Sequence, residues 1–186
     1  AFDDAVKYAT ERQQFGKPLS AFGMIQTKIA NMASAMYATE SMSYRTAGLL
    51  DAILGPIDKT AADFATKTMA GIEEYVGECS IMKIKGSEAL ALVVDETVQI
   101  FGGYGFIEDY PAERHFRDAR VTRIYEGTNE INRMLLTGML LKRSVMGQLP
   151  LLAKAKQLAD ELLEGGASLS DEDQTALLST EKALIA

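Results

Sequence analysis

The stretch FGMIQTKIANMASAM, residues 22–36, decides the fold class of this chain. Its large apolar residues recur at three- and four-residue steps, which places their side chains on one face of an α-helix. Gly55 and Pro56 are the predicted end of this helix, and Ser20 is its candidate N-cap. The apolar residues that define the face are Phe22, Ile25, Ile29, Met32 and Met36.

The same helical period continues along most of the chain, and no alternating pattern of useful length predicts a strand. Helices joined by short connections are typical of an antiparallel bundle. We therefore expect an all-α fold, an antiparallel four-helix bundle with extra C-terminal helices. The further predicted helices run from near Asp58 to Gly86, from Ser87 to Gly102–Gly103, over residues 111–119, from the cap Thr128, from Pro150, and from the cap Ser170.

Two regions are predicted along the chain, a helical bundle over residues 1–143 and a helical extension over residues 144–186. The first predicted helix has no capping residue before it, and the last predicted helix continues to the final residue of the sequence. We therefore expect a piece of a longer protein, with its activity belonging to the full-length form.

Composition excludes several classes of function. The net charge is −7 and no basic stripe is present, so nucleic acid is not an expected partner. The apolar runs are too short to span a bilayer. A single histidine, His115, and a single cysteine, Cys79, leave little for a Ser-His-Asp triad or a multi-histidine metal site. No metal is predicted, and the surroundings of His115 favour a solvated or salt-linked side chain.

The stretch RIYEGTNEINR, residues 123–133, places a carboxylate against a glycine directly before a predicted helix. Glu126 is either an exposed loop acid or a general base. In the second case burial beside Tyr125 and the isoleucine before it would raise the pKa of Glu126, whereas the helix terminus at Thr128 would lower it. Together these effects would keep the pKa near the pH where a base works best. Gly127 would let the backbone aim the side chain.

Two further stretches each allow a structural and a functional interpretation. The glycine-rich run that starts at Gly102 follows a helix rather than a strand, so it is not a dinucleotide fingerprint. It is either a helix C-cap with a turn, or bare backbone that a flat or phosphorylated ligand can approach. Gln99 is a solvated or capping amide, or a ligand contact. Arg12 is a surface arginine, or a contact to an anion whose geometry matches guanidinium.

Two long segments, AVKYATERQQFGKPLSAFGMIQ (residues 5–26) and QIFGGYGFIEDYPAERHFRDARVTRIYEGTNEINR (residues 99–133), resemble the C-terminal helical domain of the acyl-CoA dehydrogenases. Four motifs occur in the family's order: R-x-Q-F-G, Q-I-x-G-G-x-G-F, Y-P-x-E-R-x-x-R-D and I-Y-E-G-T-x-E-I. The resemblance extends from Ala1 to about Arg143. Residues 144–186 are similar to the extra helical extension of the very-long-chain type, which associates with membranes.

The resemblance implies a FAD-dependent oxidoreductase that acts on CH–CH groups. The full-length enzyme would convert fatty acyl-CoA to trans-2-enoyl-CoA in β-oxidation. Glu126 would take the α-proton while the β-hydride passes to N5 of FAD, and the isolated piece is expected to be inactive. Two alternatives remain: an acyl-CoA oxidase, in which oxygen re-oxidises the flavin, and a binding or protective flavoprotein of the same fold that does not dehydrogenate.

The resemblance also implies the roles of individual residues. The substrate-binding residues would be Tyr125, in the acyl pocket, and Gly127. The Glu126 backbone N–H would help to polarise the thioester carbonyl. The residues expected to bind FAD, several of them across a dimer, are Arg12, Gln14, Phe15, Gln99, Gly103, Thr128 and Glu130.

The expected partners follow from the same resemblance. They are fatty acyl-CoA, electron-transfer flavoprotein as the electron acceptor, and a second copy of the chain in a homodimer or homotetramer built through the helical domain. A membrane surface is a further expected partner of the tail. The implied location is the bacterial cytoplasm, or the mitochondrial matrix in a eukaryote. Acyl chain length cannot be predicted from these residues.

Overall fold

A computed structural model describes residues 1–163, and these residues are almost entirely helical. The all-α prediction is therefore confirmed, although one very short hairpin was not predicted. The α-helices are α1 (Phe2–Glu11), α2 (Gly23–Leu54), α3 (Phe64–Glu74), α4 (Val76–Phe101), α5 (Pro111–Arg120), α6 (Asn129–Val145) and α7 (Leu151–Leu163). The two strands, β1 (Gln13–Gln14) and β2 (Lys17–Pro18), pair antiparallel. No helix in this described range is long and apolar enough to cross a bilayer.

The chain divides into two compact units, Ala1–Gly138 and Met139–Ala186. Helix α7 of the second unit begins directly after Pro150, as that residue predicts. The predicted helix after Ser170 lies outside the described residues. The predicted domain boundary after residue 143 stays a prediction.

Helices α2 and α4 run antiparallel along each other, as expected of the bundle. Near the start of α2 the ammonium of Lys28 pairs with Glu96 of α4. Further along α2, Thr39 lies beside Gly86, where an added Cβ would be 3.7 Å from the threonine methyl carbon. The later residue of α2 therefore contacts the earlier residue of α4, so the two helices are antiparallel.

The predicted break at Gly86, with a new helix at Ser87, is wrong. Helix α4 continues through both residues, and Ile84 and Ser87 are buried on it. A glycine inside a helix costs only about 1 kcal/mol, which tertiary packing outweighs. The break lies instead at Tyr75, whose φ of −103° and ψ of 14° separate α3 from α4.

Two predicted helix starts are also wrong. Asp58 does not begin a helix, because its Oδ1 accepts hydrogen bonds from the Thr60 N–H at 2.9 Å and the Thr60 hydroxyl at 2.7 Å. These bonds hold a local turn, and α3 starts later. Ser20 does not cap α2 because it lies inside the short 3-10 helix Leu19–Ala21. The N-cap position of α2 is Phe22, which makes no side-chain capping bond.

Helix α1 docks on the bundle through small residues. Ala5 and Ala9 are fully buried against a core that includes Met32 of α2. Small side chains let the α1 backbone approach closely. The helix also meets α5, where His115 Nε2 lies 2.9 Å from Asp4 Oδ2. This hydrogen bond lowers the pKa of Asp4, and it places His115 beside a carboxylate, as the salt-linked alternative expects.

The end of α4 is a tight turn that only glycine can form at one position. The helix is capped by Gly102, as predicted, with a positive φ of 59°. A Cβ on Gly105 would lie 2.5 Å from the Val98 carbonyl oxygen, which is too close for any real side chain. The same construction on Gly103 meets nothing within 4 Å. The glycines of this turn therefore have different roles, close packing at Gly105 and open space at Gly103.

We predict that Gly105→Ala lowers the free energy of unfolding by about 1–3 kcal/mol, because the α4 backbone must move to admit the methyl group. Gly103→Ala, a matched change in the same turn, should alter it by less than about 0.5 kcal/mol. Chemical denaturation of the two variants checks this. Equal stabilities for the two would contradict the packing described here.

Candidate functional site

Glu126 lies on a tight turn that leads into α6. Its φ is 55° and that of Gly127 is 78°, so two consecutive residues adopt the left-handed conformation. For a residue with a side chain this conformation costs roughly 1–2 kcal/mol. Such strain persists only where the surrounding structure holds it, and it often accompanies function.

The Glu126 side chain is exposed in this chain. The neighbouring Tyr125 and Ile124 are 46% and 53% exposed, so they do not supply the burial that the general-base interpretation expects of them. Residues 124–127 are all exposed in the described part of the chain. Within residues 1–163, neither the carboxylate nor the backbone N–H of Glu126 makes a hydrogen bond. Both groups are therefore free to meet a ligand.

The start of α6 is capped as predicted. The Ile131 N–H donates to the Thr128 hydroxyl oxygen at 3.2 Å. The pKa of Glu130 is lowered, first by a hydrogen bond from its own backbone N–H and then by one from the Thr128 hydroxyl. A negative charge thus stands in the first turn, where the helix dipole stabilises it.

A buried polar cluster joins α4 to the start of α6, and it was not predicted. Asn129 is only 1% exposed. Its Oδ1 accepts from the Lys83 ammonium at 2.8 Å, and its Nδ2 donates to the Ser87 hydroxyl oxygen at 2.9 Å. Because an ammonium can only donate, the amide atom that faces Lys83 must be the oxygen. The Ser87 hydroxyl in turn donates a hydrogen bond to the Ile84 carbonyl oxygen, 3.0 Å away.

The Lys83 ammonium also binds the turn that carries Glu126 and Gly127. Lys83 Nζ donates to the Gly127 carbonyl oxygen at 2.6 Å. The Asn132 amide donates to that oxygen from the α6 side at 2.9 Å. A carbonyl oxygen has two lone pairs, so these two donors saturate it.

One ion pair adds to this junction between α4 and α6. Arg133 of α6 pairs with Glu88 of α4. Burial alone would raise the pKa of Glu88, but the hydrogen bond and charge of Arg133, with a smaller effect of Lys85, outweigh it and lower the pKa. The pair therefore favours the arrangement in which the two helices meet.

The other predicted site residues begin at the hairpin after α1. Residues Phe15 and Gly16 form its two-residue loop with φ values of 51° and 77°, which matches a type I′ turn. The Phe15 ring is 92% exposed at the tip. In residues 1–163, Phe15 and Glu126 are the only residues other than glycine with positive φ. Both were predicted as site residues, and each is followed by a glycine that also has a positive φ.

A cleft of about 470 Å³ collects several of the predicted cofactor contacts. Arg12 and Gln14 line it together with Gly103, which lies far from them in the sequence. Gln99 and Phe15 are not among its lining residues, and Gln99 is exposed elsewhere on α4. The Gln99 carbonyl instead accepts the capping hydrogen bond at the end of the helix.

The cleft has the chemistry of a site for a flat anionic ligand. The Arg12 guanidinium lies 5.4 Å from the centre of the Tyr104 ring, which holds it by a cation–π contact. The stacked rings of Tyr8 and Phe101, with centres 4.1 Å apart, form an apolar wall. Gly103 leaves open space beside bare backbone. An aromatic ring system with attached phosphate groups fits these features.

Some of these contacts have weak signals in the sequence. Lys83 and Ser87 are four residues apart, so on a continuous α4 they share one face. The predicted helix break at Gly86, which the structure contradicts, assigns Lys83 and Ser87 to different helices. Tyr8 and Tyr104 lie beside predicted site residues, but aromatic residues in helical proteins are more often core than ligand contacts.

Comparison with known proteins places the chain in a family. The model of the family described as "Acyl-CoA dehydrogenase, C-terminal domain" matches residues 1–141. With the fold and the motifs above, this shows that the chain belongs to the acyl-CoA dehydrogenase family, as the resemblance predicts.

Individual relatives agree with this assignment. The chain is 42% identical over 178 residues to a probable acyl-CoA dehydrogenase of Bacillus subtilis, covering 96% of this chain and 30% of the relative. It is 39% identical over 142 residues to the mitochondrial short-chain specific acyl-CoA dehydrogenase of Sus scrofa, covering 76% of this chain and 30% of the relative. The chain thus spans about 30% of the length of the curated relatives it matches.

A solved structure gives the corresponding match in three dimensions. It is an acyl-CoA dehydrogenase from Bacillus anthracis complexed with FAD, 46% identical, with a TM-score of 0.82. The match covers 87% of this chain and 28% of that chain. Butyryl-CoA dehydrogenase from Megasphaera elsdenii matches with a TM-score of 0.58 at 36% identity, covering 75% of this chain and 32% of that one.

The Glu88–Arg133 pair predicts a pH-dependent contribution to stability. Because the folded-state pKa of Glu88 is lowered, the contribution is complete above the ordinary glutamate pKa and disappears as the pH falls through the folded-state pKa. We expect Arg133→Gln to destabilise the protein by less than about 1 kcal/mol near neutral pH, since the pair is partly exposed. Thermal unfolding at several pH values should show this difference vanish in acid.

Arg114→Gln is the matched control, because Arg114 is exposed on α5. It should cause no difference that depends on pH in this range. A destabilisation by Arg133→Gln that persists unchanged in acid would show that the ion pair is not its cause.

Proposed function

We propose that the full-length protein containing this chain oxidises fatty acyl-CoA thioesters to trans-2-enoyl-CoA with bound FAD, as a step of fatty acid β-oxidation. The observation that carries the proposal is Glu126, an unpartnered carboxylate held on a left-handed turn at the start of a helix. The names of the relatives support the same class of reaction.

Glu126 is the base in this proposal. Its carboxylate takes the proton from the carbon next to the thioester carbonyl. Its unpartnered backbone N–H donates to the thioester oxygen, where negative charge develops as the proton leaves. One residue thus removes the proton and stabilises the resulting charge, which requires its side chain and its backbone to be fixed together.

Substrate and cofactor must supply the dry surroundings that this chemistry needs, because Glu126 is exposed in this chain. Tyr125 borders the acyl group in the proposal. Gly127 lets the chain turn sharply beside the thioester, since its φ of 78° suits glycine.

FAD is the proposed cofactor, and when bound it supplies the acceptor for the β-hydride. Arg12, Gln14 and Gly103 would hold it in their shared cleft, with the guanidinium toward phosphate oxygens. Phe15 and Gln99 lie outside that cleft and would contact FAD from the hairpin tip and the end of α4. Thr128 and Glu130 would lie near the flavin. The FAD complex of the Bacillus anthracis relative supports this choice of cofactor.

The proposed partners are electron-transfer flavoprotein and further copies of the chain. A subunit of the caffeyl-CoA reductase–Etf complex of Acetobacterium woodii is 40% identical over 143 residues, covering 77% of this chain and 33% of the relative. A structure described as an electron transferring flavoprotein of Acidaminococcus fermentans is 34% identical with a TM-score of 0.59. Assembly through the helical domain would bring the exposed Phe15 tip to a neighbouring copy.

Glu126→Gln in the full-length protein tests the proposal. The amide keeps the size of the side chain but cannot accept the α-proton. We expect turnover to fall by at least about 100-fold, with FAD content and acyl-CoA binding retained. Reduction of bound FAD by a series of acyl-CoA thioesters measures the rate and also reveals the preferred chain length.

Glu78→Gln is the matched control, since Glu78 is an exposed glutamate near the other end of α4. It should leave turnover unchanged. If Glu126→Gln keeps more than a few per cent of turnover, Glu126 is not the base and the proposed mechanism is wrong.

A further inference from the structure

We propose that Lys83 is a positioning residue for the base: its ammonium fixes the Glu126–Gly127 turn by holding the Gly127 carbonyl and the Asn129 side chain at once. The inference rests on the proposed function of Glu126. It adds a residue that lies 43 positions earlier in the sequence, on a different helix.

The turn needs an external restraint. Glu126 is strained at a φ of 55°, and its side chain makes no hydrogen bond in the described part of the chain. The two side chains before it, Ile124 and Tyr125, are also exposed, so their packing does not hold it either. The nearest fixed points lie one residue away on either side. Before Glu126, the Tyr125 N–H donates to the Val121 carbonyl oxygen at 3.2 Å. After it, the Gly127 carbonyl is held by groups outside the turn.

Lys83 supplies that restraint through two strong bonds. Charge-assisted hydrogen bonds are about twice as strong as neutral ones. The bond to Gly127 is 2.6 Å long and the bond to Asn129 is 2.8 Å. Because the two acceptors lie on either side of Thr128, one ammonium fixes both ends of the segment that joins the turn to the helix.

The rest of the cluster holds Lys83 and Asn129 in place. Ser87 lies one helical turn after Lys83 on α4 and is 7% exposed. It accepts the amide proton of Asn129, so the buried amide is satisfied on both its oxygen and its nitrogen. A buried polar network that is fully satisfied is rigid, and leaving one member unpaired is costly. Helix α4 is therefore the rigid support on which the base is aligned.

Lys83→Met is the direct test, because methionine keeps most of the side-chain length and removes every donor. In the full-length, FAD-loaded enzyme we expect single-turnover flavin reduction per bound FAD to slow by about 10- to 100-fold, the effect of a misplaced reacting group. The dissociation constant for acyl-CoA should change by less than about threefold. Substrate deuterated at the α-carbon should show a larger isotope effect than with the unaltered enzyme.

Two variants serve as controls. Lys83→Arg keeps the charge and the donors, and should return the rate to within about threefold of the original. Lys85→Met makes the same chemical change two residues further on, at an exposed lysine whose recorded partner is Glu88. It should alter the rate by less than about twofold. Lys83→Gln covers the case in which the methionine variant does not fold, since it stays polar but is one bond shorter and uncharged.

The outcomes separate the possible explanations. If Lys83→Met and Lys83→Gln lose melting temperature and FAD content but keep the rate per bound FAD, the residue is only structural and the proposal is overturned. If these two variants have the original rate while Glu126→Gln is inactive, the positioning role fails but the proposed function stands. If Glu126→Gln is itself active, the proposed function fails first, whatever Lys83 does.

Discussion

The hydrogen bonds among Lys83, Ser87 and Asn129 hold the start of α6 against α4, and the proposed geometry of the candidate base depends on them. A fully buried asparagine must satisfy its amide or pay a large desolvation cost. Asn129 satisfies it only in the register that places its side chain between Lys83 and Ser87. The turn before it is fixed in the same step, since the Lys83 ammonium also binds Gly127. The hydrogen bonds of Lys83 thus connect helix α4 to the turn that carries Glu126, the proposed base.

The candidate site has two parts in the first compact unit, and each depends on a strained turn. The hairpin tip and the Glu126 turn each pair a strained residue with a following glycine. The first turn lies beside the cleft lined by Arg12 and Gly103, and the second presents a free carboxylate and N–H. Both turns expose functional groups instead of burying them. This is the expected form of a surface that is completed by cofactor, substrate and other protein surfaces.

Residue spacing predicted the helical class, the ends of α2 and α4, and the cap at Thr128. These features depend on local preferences: glycine and proline end helices, and threonine caps them. It failed at Gly86 and Asp58. At the first, packing outweighed a weak local preference, and at the second a side-chain turn replaced a helix start. The site residues came from motif resemblance rather than from physics. The convergence of Arg12, Gln14 and Gly103 in one cleft, and the proposed role of Lys83, depend on contacts between distant segments that no local pattern predicts.

The most direct test of the account is a crystal structure of the full-length protein with FAD and an unreactive acyl-CoA analogue. We expect a Glu126 carboxylate oxygen within about 3–3.5 Å of the α-carbon, on the side opposite the flavin. We also expect the Lys83 ammonium to bind the Gly127 carbonyl in that complex. A carboxylate turned to bulk solvent and distant from the flavin, with the thioester held elsewhere, would contradict it.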